Sequence, residues 1–258
     1  MSLLAEAPTG RHFAQIHRDR EALSESVYAF LEGGIHRGDS VIVIADADLR
    51  DGLLDRLSRN KIHPKAAAHS GQLEVLDATK VMAGWFKPET GVPEWARFRA
   101  TLVPIVSRAL PFGRGLRIFT EMSSMLWIAG NTEGAIRIEE LWNDLARLHS
   151  FSLYCGYALD THREESYTGP LEDIADAHSD ILGTDDDERF GVALDRASKE
   201  IFGITLSQMA GMTSHDGARR FPSGQRTMLW VRRNLPLSTA HLAERARRYF
   251  QETFLTQQ

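Results

Sequence analysis

The sequence predicts an α/β protein with a mainly parallel sheet flanked by helices, followed by a small helical C-terminal module. Two observations lead to this fold class. Up to Asp160, short apolar runs alternate with longer segments in which apolar residues recur every three to four positions, as in amphipathic helices. After Asp160 the strand-like runs cease, and the composition becomes polar and acidic before helical periodicity resumes.

The clearest unit lies within residues 115–157. Short apolar runs at 116–119 and 151–157 are typical of buried strands, and between them Ile138 and Leu141 belong to a run of apolar residues at helical spacing. A strand, a helix and a second strand in this order predict parallel strands joined by a right-handed crossover. Open parallel sheets bind ligands beyond the carboxyl ends of their strands, which is where Glu121 is expected.

Further strands are predicted at residues 12–16, 41–45 and 73–76, and a helical pattern follows each of them. We expect the first helix to end at Gly33 and Gly34, because glycine is favoured just beyond a helix C-terminus.

The predicted domain organisation follows the change in composition. Residues 1–160 form the α/β domain, and its first ten residues are interpreted as a loose tail. Residues 161–188 are interpreted as an acidic linker that carries one short helix, and residues 189–258 as the helical module.

Length and composition set limits on function. The 258-residue chain is 43% hydrophobic, which allows a sizeable core, and its formal net charge of -5 argues against a generally nucleic-acid-binding surface. Its single cysteine, Cys155, rules out an intrachain disulfide framework and a cysteine-rich zinc site, and a buried structural thiol is expected. No run approaches the roughly 20 apolar residues that span a bilayer, and the first residues do not resemble a secretory signal. We therefore expect a cytoplasmic protein without a membrane partner.

The candidate ligand-binding site is a group of polar and aromatic residues at the predicted carboxyl edge of the sheet. Glu121 ends one strand, Trp127 and Asn131 follow in the next loop, and Asp46 follows the strand at 41–45. Small-molecule pockets combine aromatic walls with a few polar groups in this way. The alternative interpretation is that Glu121 and Asp46 cap the helices that follow them.

Two histidines complete the candidate ligand-binding set. His12 and His17 bracket the segment before the first helix, and the alternative is that both are ordinary structural histidines. Together with Glu121 they offer atoms that bind metals, but no close spacing motif supports such a site. The sequence therefore predicts no metal site, no catalytic residue and no cofactor.

The order of elements in residues 12–157 is similar to the RecA/KaiC-like ATPase core, and residues 30–42 resemble the segment that follows the phosphate loop there. By this resemblance the phosphate loop falls at residues 16–23, which contain no glycine and no Gly-Lys-Ser/Thr ending. Triphosphate binding needs backbone N–H groups that close around the phosphates, a lysine, and a hydroxyl for Mg²⁺. The resemblance therefore implies an ATPase-like scaffold with a degenerate phosphate loop.

A closer resemblance is to the MEDS domain, the sensory domain named after methanogens, methylotrophs and the dichloromethane-responsive repressor. The resemblance covers approximately residues 10–180. The chain differs from the family at two places: it has Thr120 where glycine is usual, and it lacks the aromatic residue that is common near Arg18. The blocks that carry it are fairly specific as a set: His12-Phe13, residues 33–44, Phe119-Thr120-Glu121-Met122, Leu126-Trp127, Glu139-Glu140-Leu141-Trp142-Asn143 and Ser152-Leu153-Tyr154-Cys155-Gly156-Tyr157.

The MEDS resemblance implies a sensory role. Family members are thought to sense small, hydrocarbon-derived ligands and are often joined to a DNA-binding or histidine-kinase module. This chain contains no histidine-kinase ATP-binding motif, so the resemblance implies that it signals through a partner.

Arginines on two predicted C-terminal helices form the candidate partner-binding surface: Arg232, Arg233, Arg245 and Arg248. A signalling protein is the favoured partner. The alternatives are a nucleic acid, which a turn at 235–238 of helix-turn-helix length would suit, the chain's own acidic segment at 185–188, and a plain solvated face. His178 and His215 are considered as phosphorylation sites, although His215 lies in a polar loop.

We therefore expect a non-enzymatic signalling protein that binds a small ligand and biases a partner in transcriptional or two-component control. One alternative is a nucleotide-binding, ATPase-like protein with a non-standard phosphate loop. Another is a protein–protein scaffold or homo-oligomeric regulator.

Overall fold

The computed structural model describes residues 3–86, 91–110, 114–167, 171–214 and 220–255. The chain divides into two compact units. The α/β unit comprises Met1–Gln15, Asp19–Ala158 and Ala177–Ser179, and the helical unit comprises Ile16–Arg18, Leu159–Asp176 and Asp180–Gln258.

Six parallel strands form one sheet, which confirms the predicted fold class. The strands are β1 (His12–His17), β2 (Ser40–Ala45), β3 (Leu73–Asp77), β4 (Leu116–Thr120), β5 (Ser152–Ala158) and β6 (Asp180–Leu182). Their order across the sheet is β3-β2-β4-β5-β1-β6. The first five lie where apolar runs predicted them, while β6 is only three residues long and has no such run.

The helices alternate with the strands in the first part of the chain. They are α1 (Leu3–Glu6), α2 (Arg20–Arg37), α3 (Ala47–Arg59), α4 (Pro64–His69), α5 (Ala78–Ala83), α6 (Trp95–Ala109), α7 (Met122–Ile128) and α8 (Thr132–Leu148). The later helices are α9 (Leu171–Ala177), α10 (Asp185–Phe202), α11 (Leu206–Thr213), α12 (Ser223–Asn234) and α13 (Thr239–Leu255).

Helices α2 and α8 cover opposite faces of the sheet. Neighbouring residues on a strand point to opposite faces of the sheet. On β5, one face contacts α2 and the other contacts α8. The ring of Tyr154 packs edge-on against Phe30 of α2 at 5.5 Å, whereas the next residue, Cys155, faces Glu139 of α8. The predicted burial of Cys155 is confirmed.

The prediction that Gly33 and Gly34 end the first helix is wrong. Helix α2 continues to Arg37, and Gly38 ends it in the left-handed conformation at φ 79°. The two earlier glycines instead permit close packing. A Cβ on Gly33 would lie 2.8 Å from the Cα of Ala5, and a Cβ on Gly34 would lie 2.8 Å from the Cδ of Arg117.

The predicted loose tail contains α1, and Arg117 of β4 holds it in place. The guanidinium of Arg117 is buried and donates hydrogen bonds to the carbonyl oxygens of Leu4, Ala5 and Glu6 at 3.0–3.1 Å. Its Nε donates to Asp39 at 2.9 Å. A charged residue on a buried strand therefore organises the first ten residues, which explains why their composition predicted no structure.

Residues 161–188 contain more regular structure than the predicted acidic linker. They include a 3₁₀ turn (Glu164–Tyr167), α9, β6 and the first turn of α10. Thr184 caps α10 through a reciprocal capping box with Asp187, so part of the acidic run serves as a helix start.

No helix in the described ranges combines the length and the apolar character that crossing a membrane requires.

Candidate functional site

Glu121 and Asp46 meet at the carboxyl edge of the sheet, as predicted from their positions after β4 and β2. The register of these parallel strands pairs Ile44 with Thr120, so Glu121 lies one residue and Asp46 two residues beyond that pair, at the same edge. The backbone N–H of Asp46 donates to Oε2 of Glu121 at 3.1 Å. Glu121 is buried, with 5% of its surface exposed.

Arg20 is the third member of this group, and the sequence analysis did not identify it. It lies in the first turn of α2 and reaches both carboxylates: its Nη2 is 2.5 Å from Oδ2 of Asp46, and its Nη1 is 3.5 Å from Oε1 of Glu121. Only one feature of the sequence could have indicated Arg20: it lies within residues 16–23, which the ATPase resemblance assigned to the phosphate loop. We call Arg20, Asp46 and Glu121 the edge cluster.

Burial and Arg20 act in opposite directions on the pKa of the Glu121 carboxyl, and burial is the larger effect. Burial raises the pKa of the Glu121 carboxyl, and Arg20 opposes that shift. Arg20 remains half-exposed, with 45% of its side chain accessible. A buried carboxylate with one half-exposed cationic neighbour can exchange that neighbour for a polar group of a ligand.

The other two predicted residues of this group have structural roles. Asn131 caps α8 by accepting a hydrogen bond from Gly134 N at 2.8 Å, and its amide donates to the carbonyl of Gly91 at 2.6 Å. Trp127 lies in α7 rather than in a loop, and its ring packs edge-on against Tyr157 at 6.1 Å. Asp46 also caps α3, since its Oδ1 accepts from Leu49 N.

The connection between β1 and α2 consists of Arg18 and Asp19 alone. Asp19 caps α2 by accepting a hydrogen bond from Glu21 N at 2.9 Å. A phosphate loop of the GxxxxGK[ST] type needs a glycine-rich loop of several residues between strand and helix, with free N–H groups at the helix start. Here the connection is too short, and a carboxylate occupies the helix N-terminus.

A second polar group lies inside the α/β unit, on the face of the sheet that α8 covers. It consists of His12 on β1, Glu139 on α8, Cys155 on β5 and His178 beyond α9, all buried. One ligand-type atom from each residue lies within 4.8 Å of the others. We call these four residues the buried cluster.

Short distances connect the buried cluster. His12 Nε2 is 3.2 Å from Glu139 Oε2 and 3.4 Å from Cys155 Sγ. Cys155 Sγ is 3.3 Å from the same Glu139 oxygen, and His178 Nε2 is 3.5 Å from it. Oε2 of Glu139 is therefore the common neighbour of all three other side chains.

Charges inside the buried cluster offset one another. Burial pushes the pKa of Glu139 upward, but His178 and His12 outweigh burial and hold that pKa at about 2. Burial, reinforced by the negative charge of Glu139, raises the pKa of Cys155 well above its usual range. The same two causes raise the pKa of Tyr157, whose hydroxyl donates to Oε1 of Glu139.

The predicted histidines thus separate. His12 joins the buried cluster, while His17 is buried at the other end of β1, where its carbonyl accepts from Leu159 N at 3.0 Å. Within the described ranges, His12, His17 and Glu121 do not form a metal-binding group. The burial of His178, at 3% exposed, argues against the phosphorylation considered for it, and His215 lies outside the described residues.

Sequence reasoning missed the buried cluster because its members lie on four separate elements without a local motif. His12, Glu139 and Cys155 all fall in blocks that carried the family resemblance, which was the only signal that could have linked them.

Two of the four predicted partner-binding arginines already have carboxylate partners in the helical unit. Arg245 binds Glu200 through two nitrogens, its Nε at 2.9 Å, and Arg248 lies 2.5 Å from Glu244 one turn earlier. Arg232 and Arg233 end α12, and Arg233 lines a cavity of about 400 Å³ with Met209 and Trp230. That cavity and another of about 390 Å³ beside His63 do not involve the edge cluster.

Residues 11–179 match the family model described as the methanogen/methylotroph, DcmR sensory domain (MEDS). The match covers more than half of the chain and includes both the edge cluster and the buried cluster. No curated protein shows significant similarity to the chain.

Proposed function

Because the chain belongs to the MEDS family of sensory domains, we propose that it is a non-enzymatic signalling protein whose α/β unit binds a small molecule. The observation that carries this proposal is the family match over residues 11–179, which contain the first five of the six parallel strands and the helices between them.

The β1–α2 connection supports a receptor rather than a nucleotide-hydrolysing enzyme. The parallel sheet is in keeping with a RecA/KaiC-like scaffold, but only Arg18 and Asp19 stand where a phosphate loop is needed. Asp19 would repel a triphosphate at the start of α2, and no lysine of the phosphate-loop type is present there.

The edge cluster is the proposed sensing site. Parallel sheets bind ligands at this edge, and Glu121 offers a buried hydrogen-bonding group whose partner Arg20 is half-exposed. A small organic molecule with a polar group that bonds Glu121 would displace Arg20, which lies in the first turn of α2. Such a ligand favours one position of that helix over another, and this differential affinity is what a signal requires.

The helical unit is the proposed output. Arg232, in the last turn of α12, is the proposed contact for an acidic partner protein, since Glu200 and Glu244 offset the charges of Arg245 and Arg248. The partner would belong to transcriptional or two-component control.

A thermal-shift screen against small organic compounds tests the sensing proposal. We expect at least one compound class to raise the melting temperature of the wild type, and Glu121→Gln to abolish that rise. The matched control is Glu133→Gln, which changes an exposed carboxylate in the first turn of α8 and should leave the response intact. A broad panel that shifts neither protein would count against sensing at this edge.

A further inference from the structure

We propose that the buried cluster is a binding site for one divalent transition-metal ion of the zinc class, held by His12, Glu139, Cys155 and His178. This inference revises the expectation of no metal site. It does not depend on the proposed signalling function, since its test measures metal binding alone.

The geometry of the four side chains fits tetrahedral coordination. With Zn–N and Zn–O bonds of about 2.0–2.2 Å and a Zn–S bond of about 2.3 Å, the edges of the ligand tetrahedron are about 3.3–3.6 Å. The distances among His12 Nε2, Glu139 Oε2 and Cys155 Sγ are 3.2, 3.4 and 3.3 Å. The His178 Nε2 atom lies 3.5 Å from the same Glu139 oxygen. Four of the six edges are therefore close to those of a zinc site, and the two edges from His178 to His12 and Cys155 are at most 4.8 Å long.

The donor set favours the same class of metal. Two imidazoles, one thiolate and one carboxylate suit zinc and its neighbours, whereas Ca²⁺ and Mg²⁺ require mostly oxygen ligands. Cys155 binds as the thiolate and releases its proton to solvent. Two neutral imidazoles, one thiolate and one carboxylate then balance a divalent charge, which a buried site requires.

Groups around the buried cluster orient its ligands. Asn143 donates its amide to the carbonyl of Ala177 at 2.7 Å, so its oxygen must face Nδ1 of His12, 3.0 Å away. Nδ1 therefore carries the proton, and the lone pair of His12 Nε2 points into the cluster. Tyr157 donates to Oε1 of Glu139, which leaves Oε2 for the metal. Metal-binding histidines and carboxylates are oriented by such hydrogen bonds in known sites.

The segment that carries His178 is anchored to the first ligand. Ser179 N donates to the carbonyl of His12 at 2.7 Å, and His12 N donates to the hydroxyl of Ser179 at 2.8 Å. The four ligands thus come from β1, α8, β5 and a segment fixed to β1. A metal would join these elements inside the α/β unit and stabilise it.

Cobalt substitution tests this proposal on the whole protein. The chain is stripped with a chelator and titrated with Co²⁺, then with Zn²⁺ in competition. We expect one equivalent of Co²⁺ to bind, with a thiolate-to-cobalt charge-transfer band and the visible bands of four-coordinate cobalt. Zn²⁺ should displace it, and Zn²⁺ but not Mg²⁺ should raise the melting temperature of the stripped protein.

Variants separate a metal site from a metal-free network of hydrogen bonds. Cys155→Ser should lose the charge-transfer band, and Glu139→Gln should weaken binding at least tenfold. Asn143→Ala, which only removes the support of His12, should weaken it about 10- to 100-fold. Glu133→Gln, an exposed carboxylate on the same helix as Glu139, is the matched control and should bind as the wild type does.

Two results would overturn the proposal. One is a folded wild type, judged by circular dichroism, that takes up neither Co²⁺ nor Zn²⁺ and gains no thermal stability from them. The other is a charge-transfer band that survives in Cys155→Ser. The wild-type measurements need no variant, so they decide the matter even if a substitution prevents folding.

Discussion

The Nε2 atom of His12 lies 3.2 Å from the Oε2 atom of Glu139, and both side chains are buried. Their elements are far apart in the chain, and the contact joins β1 to α8 across the face of the sheet. Removing a partner of a buried carboxylate destabilises the folded protein, because a buried charge without a partner has a high free energy. Glu139 has two imidazoles as partners.

The first prediction concerns Glu139. In metal-free protein, Glu139→Ala should lower the free energy of unfolding by about 3–5 kcal/mol, because it leaves His12, His178 and Tyr157 without their shared acceptor. Glu139→Gln keeps the volume and one acceptor oxygen, so its loss should be smaller. Urea denaturation of both variants measures the difference. Equal losses would mean that charge and hydrogen bonding at this position do not matter.

The second prediction concerns Arg117, which joins the N-terminal segment to the sheet. Arg117→Met should destabilise the protein by about 3–5 kcal/mol, because it leaves Asp39 and several backbone carbonyls of α1 and α2 without a donor. Arg117→Lys should recover little, since one ammonium cannot reproduce the planar fork of donors. Arg114→Met, an exposed arginine just before β4, is the matched control and should change stability by less than about 0.5 kcal/mol. A mild effect of Arg117→Met would contradict the role of Arg117 as an anchor.

The third prediction tests the packing role of Gly33. Gly33→Ala should destabilise the protein by about 1–3 kcal/mol, because the new methyl group collides with the backbone of Ala5. Gly52→Ala, inside α3 with open space around its Cβ, should instead be neutral or stabilise by about 0.5–1 kcal/mol. Thermal unfolding of the two variants compares them directly. Opposite signs are expected, and a stabilising Gly33→Ala would show that α1 does not pack there.

The fourth prediction is a pH dependence that arises in the helical unit. The ring of His162 stacks on Phe190 at 3.8 Å and lies edge-on to Phe250 at 4.5 Å. Burial, assisted by Arg18 and Arg247 and opposed by Asp160 and Asp186, lowers the pKa of His162 to about 4.

The unfolded chain therefore binds a proton at His162 more readily than the folded chain does. Above the unfolded pKa of about 6.5, His162 does not change the free energy of unfolding with pH. As the pH drops toward 4, His162 lowers the free energy of unfolding by roughly 2–3 kcal/mol. His162→Phe, which keeps an aromatic ring, should remove that part of the decline. His241→Gln, an exposed histidine on α13, should leave the profile unchanged. Denaturation at several pH values makes the comparison, and identical profiles for wild type and His162→Phe would contradict it.

The sequence predicted the parallel sheet because β1 to β5 are short apolar runs, and burial on both faces leaves such runs few alternatives. It also placed Glu121 and Asp46 at one edge, since the carboxyl ends of parallel strands lie at the same edge of a sheet. It did not predict Arg20 as their partner, and of the buried cluster it identified only His12 as a candidate ligand-binding residue, without its three neighbours. Those contacts depend on where α2 and α8 cross the sheet and on the side-chain conformations. Neither produces a recognisable local pattern in the sequence. Gly33 was misinterpreted for the same reason, because a close approach and a helix end both select glycine.

The central claim is that the α/β unit senses a small molecule at the edge cluster and does not use a nucleotide. Titration calorimetry of the wild type and Glu121→Gln, against a compound from the screen and against ATP with Mg²⁺, tests it most directly. We predict that the wild type binds the compound, that Glu121→Gln weakens this binding at least tenfold, and that ATP with Mg²⁺ gives no heat of binding. Micromolar binding of ATP with Mg²⁺ to the wild type would contradict the claim.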